Sequence, residues 1–184
     1  HGKMKTIAAN IDRLVIVIAP YPEPFGNLVD RYLVVAETLG FEPLILINKI
    51  DRLDEENGDK IRNLEKVYRG IGYDVLGISA QTGEGVDELT SLLNQGTSIF
   101  VGQSGVGKSS LINSLIPGLE LRVGALSVAR QKGTHTTTTA ELFHFPGGGH
   151  LIDSPGIREF GLWPLDPYEL LSGFRELKPL LGGG

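Results

Sequence analysis

The stretch FVGQSGVGKSS at positions 100–110 restricts the possible folds more than any other part of the sequence. It contains the pattern G-x-x-x-x-G-K-[ST], preceded by the apolar run SIFV and followed by a helical pattern, which is the context that a phosphate-binding loop requires. In such a loop the glycines let backbone N–H groups approach phosphate oxygens, the lysine reaches the terminal phosphates, and the serine hydroxyl binds Mg²⁺. The alternative is a glycine-rich turn without a ligand. We predict phosphate contacts from Gly102, Gln103, Ser104, Gly105, Val106, Gly107, Lys108, Ser109 and Ser110, with Ser109 also a Mg²⁺ ligand.

The remaining apolar runs alternate with helical patterns. LVIVIA at 14–19 and LILI at 44–47 are typical of buried parallel strands, and the sequence between them, 27–39, has helical spacing. Further along we predict a charged helix at 60–69, a strand at 73–79, helices at 86–93 and 109–116, a strand at 98–101, and a hairpin with strands at 141–145 and 150–152. This alternation predicts one α/β domain over 1–184, with three layers and a mainly parallel sheet. To the glycines of PGGG in the hairpin we assign only a turn.

Composition limits the class of protein. With 184 residues, 41% apolar and 21% charged, the chain can form a soluble globular domain. The net charge of −5 means that a nucleic-acid partner would need a local basic segment. The absence of cysteine excludes disulfides and cysteine-based zinc sites in this chain and fits a reducing compartment. The longest apolar run is too short to span a bilayer. We expect a cytoplasmic monomer without a membrane partner.

The motif NKID at 48–51 follows a predicted buried strand, where open α/β sheets bind their ligands. The Asp51 carboxylate can accept two hydrogen bonds from guanine that adenine cannot donate, and leaving a buried carboxylate unpaired costs roughly 1–3 kcal/mol. Asn48 would brace the base and the neighbouring loop, and the Lys49 stem would lie over the ring. NKID alone is equally typical of an exposed turn. However, ISAQTGEG follows a second strand and offers backbone N–H groups to the guanine carbonyl, from Ser79 and Ala80.

Two further segments have the character of nucleotide-sensing switches. In LIDSPG, Asp153 can hold Mg²⁺ through water and the Gly156 N–H can contact the γ-phosphate. In GTHTTTT, one threonine can complete the Mg²⁺ shell, and we favour Thr137, with Thr138 as the alternative. A plain Asp-Ser-Pro-Gly turn and a loop or edge strand are the simpler explanations.

These parts stand in an unusual order: base reader, second base loop, phosphate loop, first switch, second switch. Moving the first two to the end restores the order of ordinary GTP-binding proteins. Such a rotation preserves every spatial contact if the original termini lie close together. We therefore predict a circularly permuted P-loop GTPase domain, with the linker-like NQGT at 94–97 as the join.

The resemblance is then specific. The segments IAANIDRLVIVIA, NLVDRYLV, EPLILINKID, GQSGVGKSSLINSL and GTHTTTTAELFHFPGGGHLIDSPGIREFGLW resemble the RsgA/YjeQ family of ribosome small-subunit maturation GTPases. The resemblance implies GTP or GDP and Mg²⁺ as ligands, hydrolysis stimulated by the small ribosomal subunit, and a late role in its assembly. It also implies an OB-fold upstream and a zinc module downstream, both absent from this chain, so that zinc is expected in that module only.

Many GTPases position the attacking water with a glutamine just after the second-switch glycine, but here that residue is Ile157, as in the family. His135 in the first switch is our candidate catalytic group, because imidazole can orient or deprotonate water near neutral pH. The simpler reading of His135 is an exposed loop histidine, and we expect His144 and His150 on the hairpin surface. From 121 to 140 there is no acidic residue, so we expect ribosomal RNA to contact Arg122, Arg130 and Lys132. A solvated loop with chance clustering of charge is the simpler explanation. A nucleotide-binding scaffold without hydrolysis and a P-loop ATPase or kinase remain alternatives.

Overall fold

The structure is a computed structural model that describes residues 11–24, 27–103, 105–119 and 141–153. Within these ranges six strands form one sheet in the order β3-β2-β1-β4-β6-β5. The strands are β1 (Ile11–Ile18), β2 (Glu42–Ile47), β3 (Asp74–Gly77), β4 (Thr97–Gly102), β5 (Glu141–His144) and β6 (His150–Asp153). The helices of the same ranges are α1 (Leu28–Leu39), α2 (Glu55–Ile71), α3 (Val86–Leu93) and α4 (Lys108–Leu115). None of these helices has the length and apolar character to cross a membrane.

The sheet is mainly parallel, as predicted. Strand β1 pairs in parallel with β2 on one side and with β4 on the other, so that Val15 lies opposite both Leu44 and Phe100. Strands β3 and β6 extend the parallel region, and only β5 pairs antiparallel, with β6. The predicted hairpin is therefore confirmed, and the structure shows that it lies at one edge of the sheet.

Side chains of β1 pack against helices on both faces of the sheet. Leu14, Ile16 and Ile18 belong to a core shared with α1 and α2, whereas Val15 and Val17 belong to a core shared with α3 and α4. A strand buried on both faces needs apolar residues at every position, which explains the uninterrupted run in its sequence. The domain consequently has three layers, helix–sheet–helix.

Helix α2 begins five residues before its predicted start. The Asp54 carboxylate accepts a hydrogen bond from the Asn57 N–H at 2.9 Å, and the Asn57 side chain accepts one from the Asp54 N–H at 2.8 Å. This reciprocal capping box satisfies two N–H groups that a helix start leaves without partners. The prediction, which rested on the charged segment, missed this start because the cap lies outside that segment.

The glycines of PGGG do more than turn the chain. A Cβ atom on Gly147 would collide with the Asn94 side chain, and one on Gly149 would collide with the Leu93 carbonyl oxygen. These glycines therefore let the hairpin turn approach the end of α3 and the join between the two halves of the chain. The join itself spans only 94–96, because Thr97 already belongs to β4 and donates its N–H to the Asp12 carboxylate at 2.9 Å.

We expect Asp54→Ala to lower the free energy of unfolding by about 1 kcal/mol, because the first turn of α2 loses its side-chain cap. Urea unfolding followed by circular dichroism measures this change. Asp59→Ala is the matched control, since Asp59 lies on the same helix and pairs with Arg62 at an exposed surface, where an ion pair contributes little. Equal stabilities of the two variants would contradict the capping role.

Candidate functional site

Three loops meet at the carboxyl ends of the parallel strands β2, β3 and β4. The base loop (48–51) follows β2, the second base loop (79–84) follows β3, and the phosphate loop (102–109) follows β4. The carboxyl ends of neighbouring parallel strands are the usual ligand site of an open α/β sheet. The structure therefore brings together the segments that the sequence analysis selected.

The phosphate loop leads directly into α4, which starts at Lys108. The N-cap residue of α4 is Gly107, which has no side chain that could accept a hydrogen bond from the first N–H groups of the helix. These N–H groups are directed toward the carboxyl ends of the strands. The Lys108 side chain is buried, and its ammonium donates to the carbonyl oxygens of Gly102 at 2.6 Å and Gln103 at 2.8 Å. A helix N-terminus and a fixed cation side by side are the features that attract an anion such as phosphate.

Asn48 is the residue that joins the loops. Its side chain is 2% exposed, its Nδ2 donates to the Val106 carbonyl at 2.9 Å, and its Oδ1 accepts from the Ala80 N–H at 3.2 Å. The close approach also explains Gly107, because a Cβ atom there would lie 2.6 Å from the Asn48 Nδ2. One buried amide thus connects the base loop to both other loops.

Lys49 forms a second connection. Its backbone is left-handed, with φ of 60°, and its ammonium donates to the Gly105 carbonyl at 2.6 Å and the Tyr21 carbonyl at 3.2 Å. The stem therefore spans the gap between base loop and phosphate loop, which is compatible with the predicted position over the base. Burial lowers the pKa of the Lys49 amine, the Arg52 guanidinium lowers it further, and the Asp51 carboxylate opposes both effects.

The Asp51 carboxylate is exposed at the mouth of the site. Its Oδ1 accepts a hydrogen bond from the Ser79 hydroxyl at 2.6 Å, and that hydroxyl accepts one from the Thr82 N–H at 3.1 Å. This chain of hydrogen bonds fixes the orientation of the carboxylate. Ser79 is predicted only as a backbone donor, and the role of its hydroxyl is missed because Asp51 lies 28 residues away in the sequence.

The backbone donors of the second base loop are already engaged. The Ser79 N–H donates to the Glu84 carbonyl at 2.9 Å, and the Ala80 N–H donates to Asn48. Donation from either residue to guanine stays a prediction, and in each case the N–H group would have to be shared with its present acceptor.

Several predicted site residues lie outside the described part of the chain. They are Ser104, His135, Thr137 and its alternative Thr138, Gly156, Ile157, Arg122, Arg130 and Lys132.

The predicted metal ligands Asp153 and Ser109 are within the described part. The backbone of Asp153 ends β6, which is parallel to β4, so Asp153 lies at the same end of the strands as the phosphate loop. Ser109 is in the first turn of α4, beside Ser110, and both are partly buried. Among the described residues there is no group of three or more histidine, aspartate or glutamate side chains that could hold a metal ion.

His144 and His150 lie on the hairpin, next to the start of β4 and therefore at the opposite end of the strands from these loops. His144 is exposed and His150 is partly exposed, as predicted, and their Nδ1 atoms are 2.9 Å apart. Partial burial and the neighbouring His144 ring lower the pKa of His150.

Comparison with known proteins extends these observations. A family model described as RsgA GTPase matches residues 1–163. The small ribosomal subunit biogenesis GTPase RsgA of Ectopseudomonas mendocina (strain ymp) is 58% identical over 182 residues, which cover 99% of this chain and 53% of that protein. RsgA of Azotobacter vinelandii is 57% identical, with 99% of this chain and 53% of that protein covered. The chain thus spans about half the length of the curated relatives it matches.

Two solved structures have a similar fold. Thermotoga maritima YjeQ superimposes with a TM-score of 0.69 at 39% identity, covering 91% of this chain and 55% of that protein. YloQ, described as a circularly permuted GTPase, superimposes with a TM-score of 0.58 at 31% identity, covering 79% of this chain and 45% of that protein.

We expect Asn48→Asp to reduce stability by roughly 1–3 kcal/mol and to weaken nucleotide binding. The substituted carboxylate cannot donate to the Val106 carbonyl and leaves a buried charge beside it. Urea unfolding and a nucleotide titration measure both effects. Asn63→Asp, the same change at an exposed position of α2, is the control and should leave both values unchanged. Indistinguishable variants would show that the Asn48 bridge is dispensable.

Proposed function

The chain belongs to the RsgA GTPase family, and we propose that it binds GTP and hydrolyses it to GDP and phosphate during maturation of the small ribosomal subunit. The observation that carries the proposal is the junction of base loop and phosphate loop through Asn48 and Lys49. This junction supports the proposal because it holds the loop of Asp51, which would read guanine, next to the loop that leads into the N-terminus of α4, which would bind phosphate.

Base selection would be the task of Asp51. The Ser79 hydroxyl contacts Oδ1 and so holds the carboxylate in one orientation, while the remaining lone pairs can accept from the guanine ring N–H and its exocyclic amine. Adenine has neither donor at these positions, which argues against the alternative of an ATPase or small-molecule kinase. The Lys49 stem would lie along the base, with its ammonium held by Gly105.

Phosphate binding would use Lys108, the N–H groups of the loop and the N-terminus of α4. The Mg²⁺ ion would be held by oxygen ligands, which it prefers, from Ser109 and Thr137 and, through water, from Asp153. When bound, the ion would neutralise charge on the β- and γ-phosphates. The hydroxyl of Ser109 in the first turn of α4 fits this role, and the Gly156 N–H would contact the γ-phosphate.

Hydrolysis would depend on His135. Because Ile157 cannot orient water, another group must do so, and an imidazole can orient or deprotonate water near neutral pH. A scaffold that binds nucleotide without hydrolysis is the alternative if His135 is idle.

The proposed partner is the small ribosomal subunit, which the names of the relatives specify. Ribosomal RNA would meet the segment with Arg122, Arg130 and Lys132, through contacts that weaken with salt as counterions are released. Such a factor would act in the cytoplasm, as a monomer and away from membranes. The relatives are about twice as long as this chain, which leaves room for the OB-fold and the zinc module that we propose flank the domain.

We expect Asp51→Asn to weaken GTP binding at least about tenfold while weakening xanthosine triphosphate binding less. The amide replaces two acceptors by one donor and one acceptor, and xanthine carries a carbonyl where guanine carries its amine. Competition titrations against a fluorescent nucleotide measure both affinities. Lys108→Ala is the control, since loss of a phosphate contact should weaken both nucleotides equally. Equal losses in Asp51→Asn would remove Asp51 from base recognition.

We expect His135→Ala in the full-length protein to keep GTP affinity within about twofold and to slow subunit-stimulated hydrolysis about 100-fold, as loss of a general base or water-positioning group does. Single-turnover phosphate release with and without small subunits is the measurement. His150→Ala, on the hairpin at the far edge, should leave the rate unchanged. Wild-type turnover in His135→Ala would assign water positioning to another group.

A further inference from the structure

A loop outside the recognised motifs contacts the junction between base loop and phosphate loop. This 20–24 loop follows β1 and has the sequence PYPEP. Its Tyr21 carbonyl accepts from the Lys49 ammonium at 3.2 Å, while the same ammonium donates to the Gly105 carbonyl at 2.6 Å. Lys49 is therefore held from two sides, by the phosphate loop and by a loop to which no role has been assigned.

The 20–24 loop also lies next to the phosphate loop. A Cβ atom placed on Gly105 would lie 3.5 Å from Cδ of Pro22, which is ordinary contact distance. The two loops are thus neighbours, and the Lys49 ammonium is hydrogen-bonded to both. A shift of the 20–24 loop would change the surroundings of Lys49 and of the phosphate loop together.

On its other side the 20–24 loop faces α2 across a cleft of about 340 Å³. Ile61, Leu64 and Tyr68 contribute to the lining of this cleft. Across it, the Lys60 ammonium pairs with the Glu23 carboxylate at 3.3 Å, and both side chains are largely exposed. In the described part of the chain, this is the ion pair that connects the 20–24 loop to α2.

We propose that Glu23 and Lys60 are positioning residues for nucleotide binding, because their ion pair holds the 20–24 loop where the Tyr21 carbonyl can fix the Lys49 ammonium. This inference rests on the proposed nucleotide site and extends it to a loop and a helix that carry none of its motifs.

The physical reason lies in the flexibility of lysine. Its four-carbon stem has many rotamers, and ordering such a side chain costs up to about 2 kcal/mol of conformational entropy. With both carbonyl acceptors in place, Lys49 is ordered before the nucleotide arrives, so that cost does not weaken binding. If the 20–24 loop is displaced, the Lys49 ammonium keeps only the Gly105 carbonyl as acceptor and becomes more mobile.

The test reverses each charge and then exchanges the two. In low salt, Glu23→Lys and Lys60→Glu should each lower the affinity for a fluorescent GDP analogue about two- to fivefold, the range expected for an exposed ion pair. The exchanged variant, Glu23→Lys with Lys60→Glu, should recover wild-type affinity. In 1 M salt, where the screening length is about 3 Å, the ion pair is screened in every variant, so the affinities of the single variants should approach that of wild type.

The direction of the Glu23→Lys effect separates positioning from general electrostatics. A positive charge added near an anionic nucleotide would by itself raise affinity, whereas loss of positioning lowers it. Asp59→Lys is the matched control, because it makes the same charge change on α2, in a pair with Arg62 that does not reach the 20–24 loop. Its affinity should equal or slightly exceed that of wild type.

A double-mutant cycle tests the route through Lys49. In Lys49→Met, Glu23→Lys should cause no additional loss of affinity, since the ammonium that it positions is gone. An equal loss in both backgrounds, or an exchanged variant that stays weak, would overturn the proposal. Wild-type protein that does not bind the GDP analogue would instead overturn the proposed function. Thermal unfolding of each variant verifies that it is folded.

Discussion

The site depends on the side chain of one buried residue, Asn48. Its amide is almost completely removed from water, and both ends are used, by the Val106 carbonyl and by the Ala80 N–H. A buried amide without partners would destabilise the protein, so the hydrogen bonds fix the base loop, the second base loop and the phosphate loop relative to one another. The contact also explains why position 107 is a glycine. Asp51 and Lys49 receive their positions from a base loop that is already anchored.

The chain has a circularly permuted GTPase fold, and the sheet shows why permutation preserves the site. Strand β4, which carries the phosphate loop, pairs with β1 and β6 irrespective of its place in the sequence. The join at 94–96 can be short because the end of α3 lies near the start of β4, where Asp12 and His150 hydrogen-bond to the backbone of Thr97 and Gly96. The site is therefore determined by which strand ends meet, and not by chain order.

The sequence alone was sufficient to predict the strands, the layers and the three loops of the site, because each is marked locally, by a continuous apolar run or by a motif. Side-chain contacts between distant segments could not be predicted from the sequence. The bond from the Ser79 hydroxyl to Asp51 and that from Lys49 to the Tyr21 carbonyl depend on how two strand ends face each other. The packing of Gly147 against Asn94 depends on a turn meeting a helix end. The periodicity of apolar residues does not predict which distant segments come into contact.

Permutation divides the site between two consecutive halves of the chain. The base loops belong to the half before the join and the phosphate loop to the half after it, and the central pairing of β1 with β4 connects the two. A nucleotide that contacts both halves stabilises the folded state, by about 2.7 kcal/mol at a concentration 100 times its Kd. Yet Asn48 and Lys49 already bond the halves within the protein itself. In the proposed function, little binding energy would then be needed to assemble the site, and more of it would remain for discrimination between nucleotides.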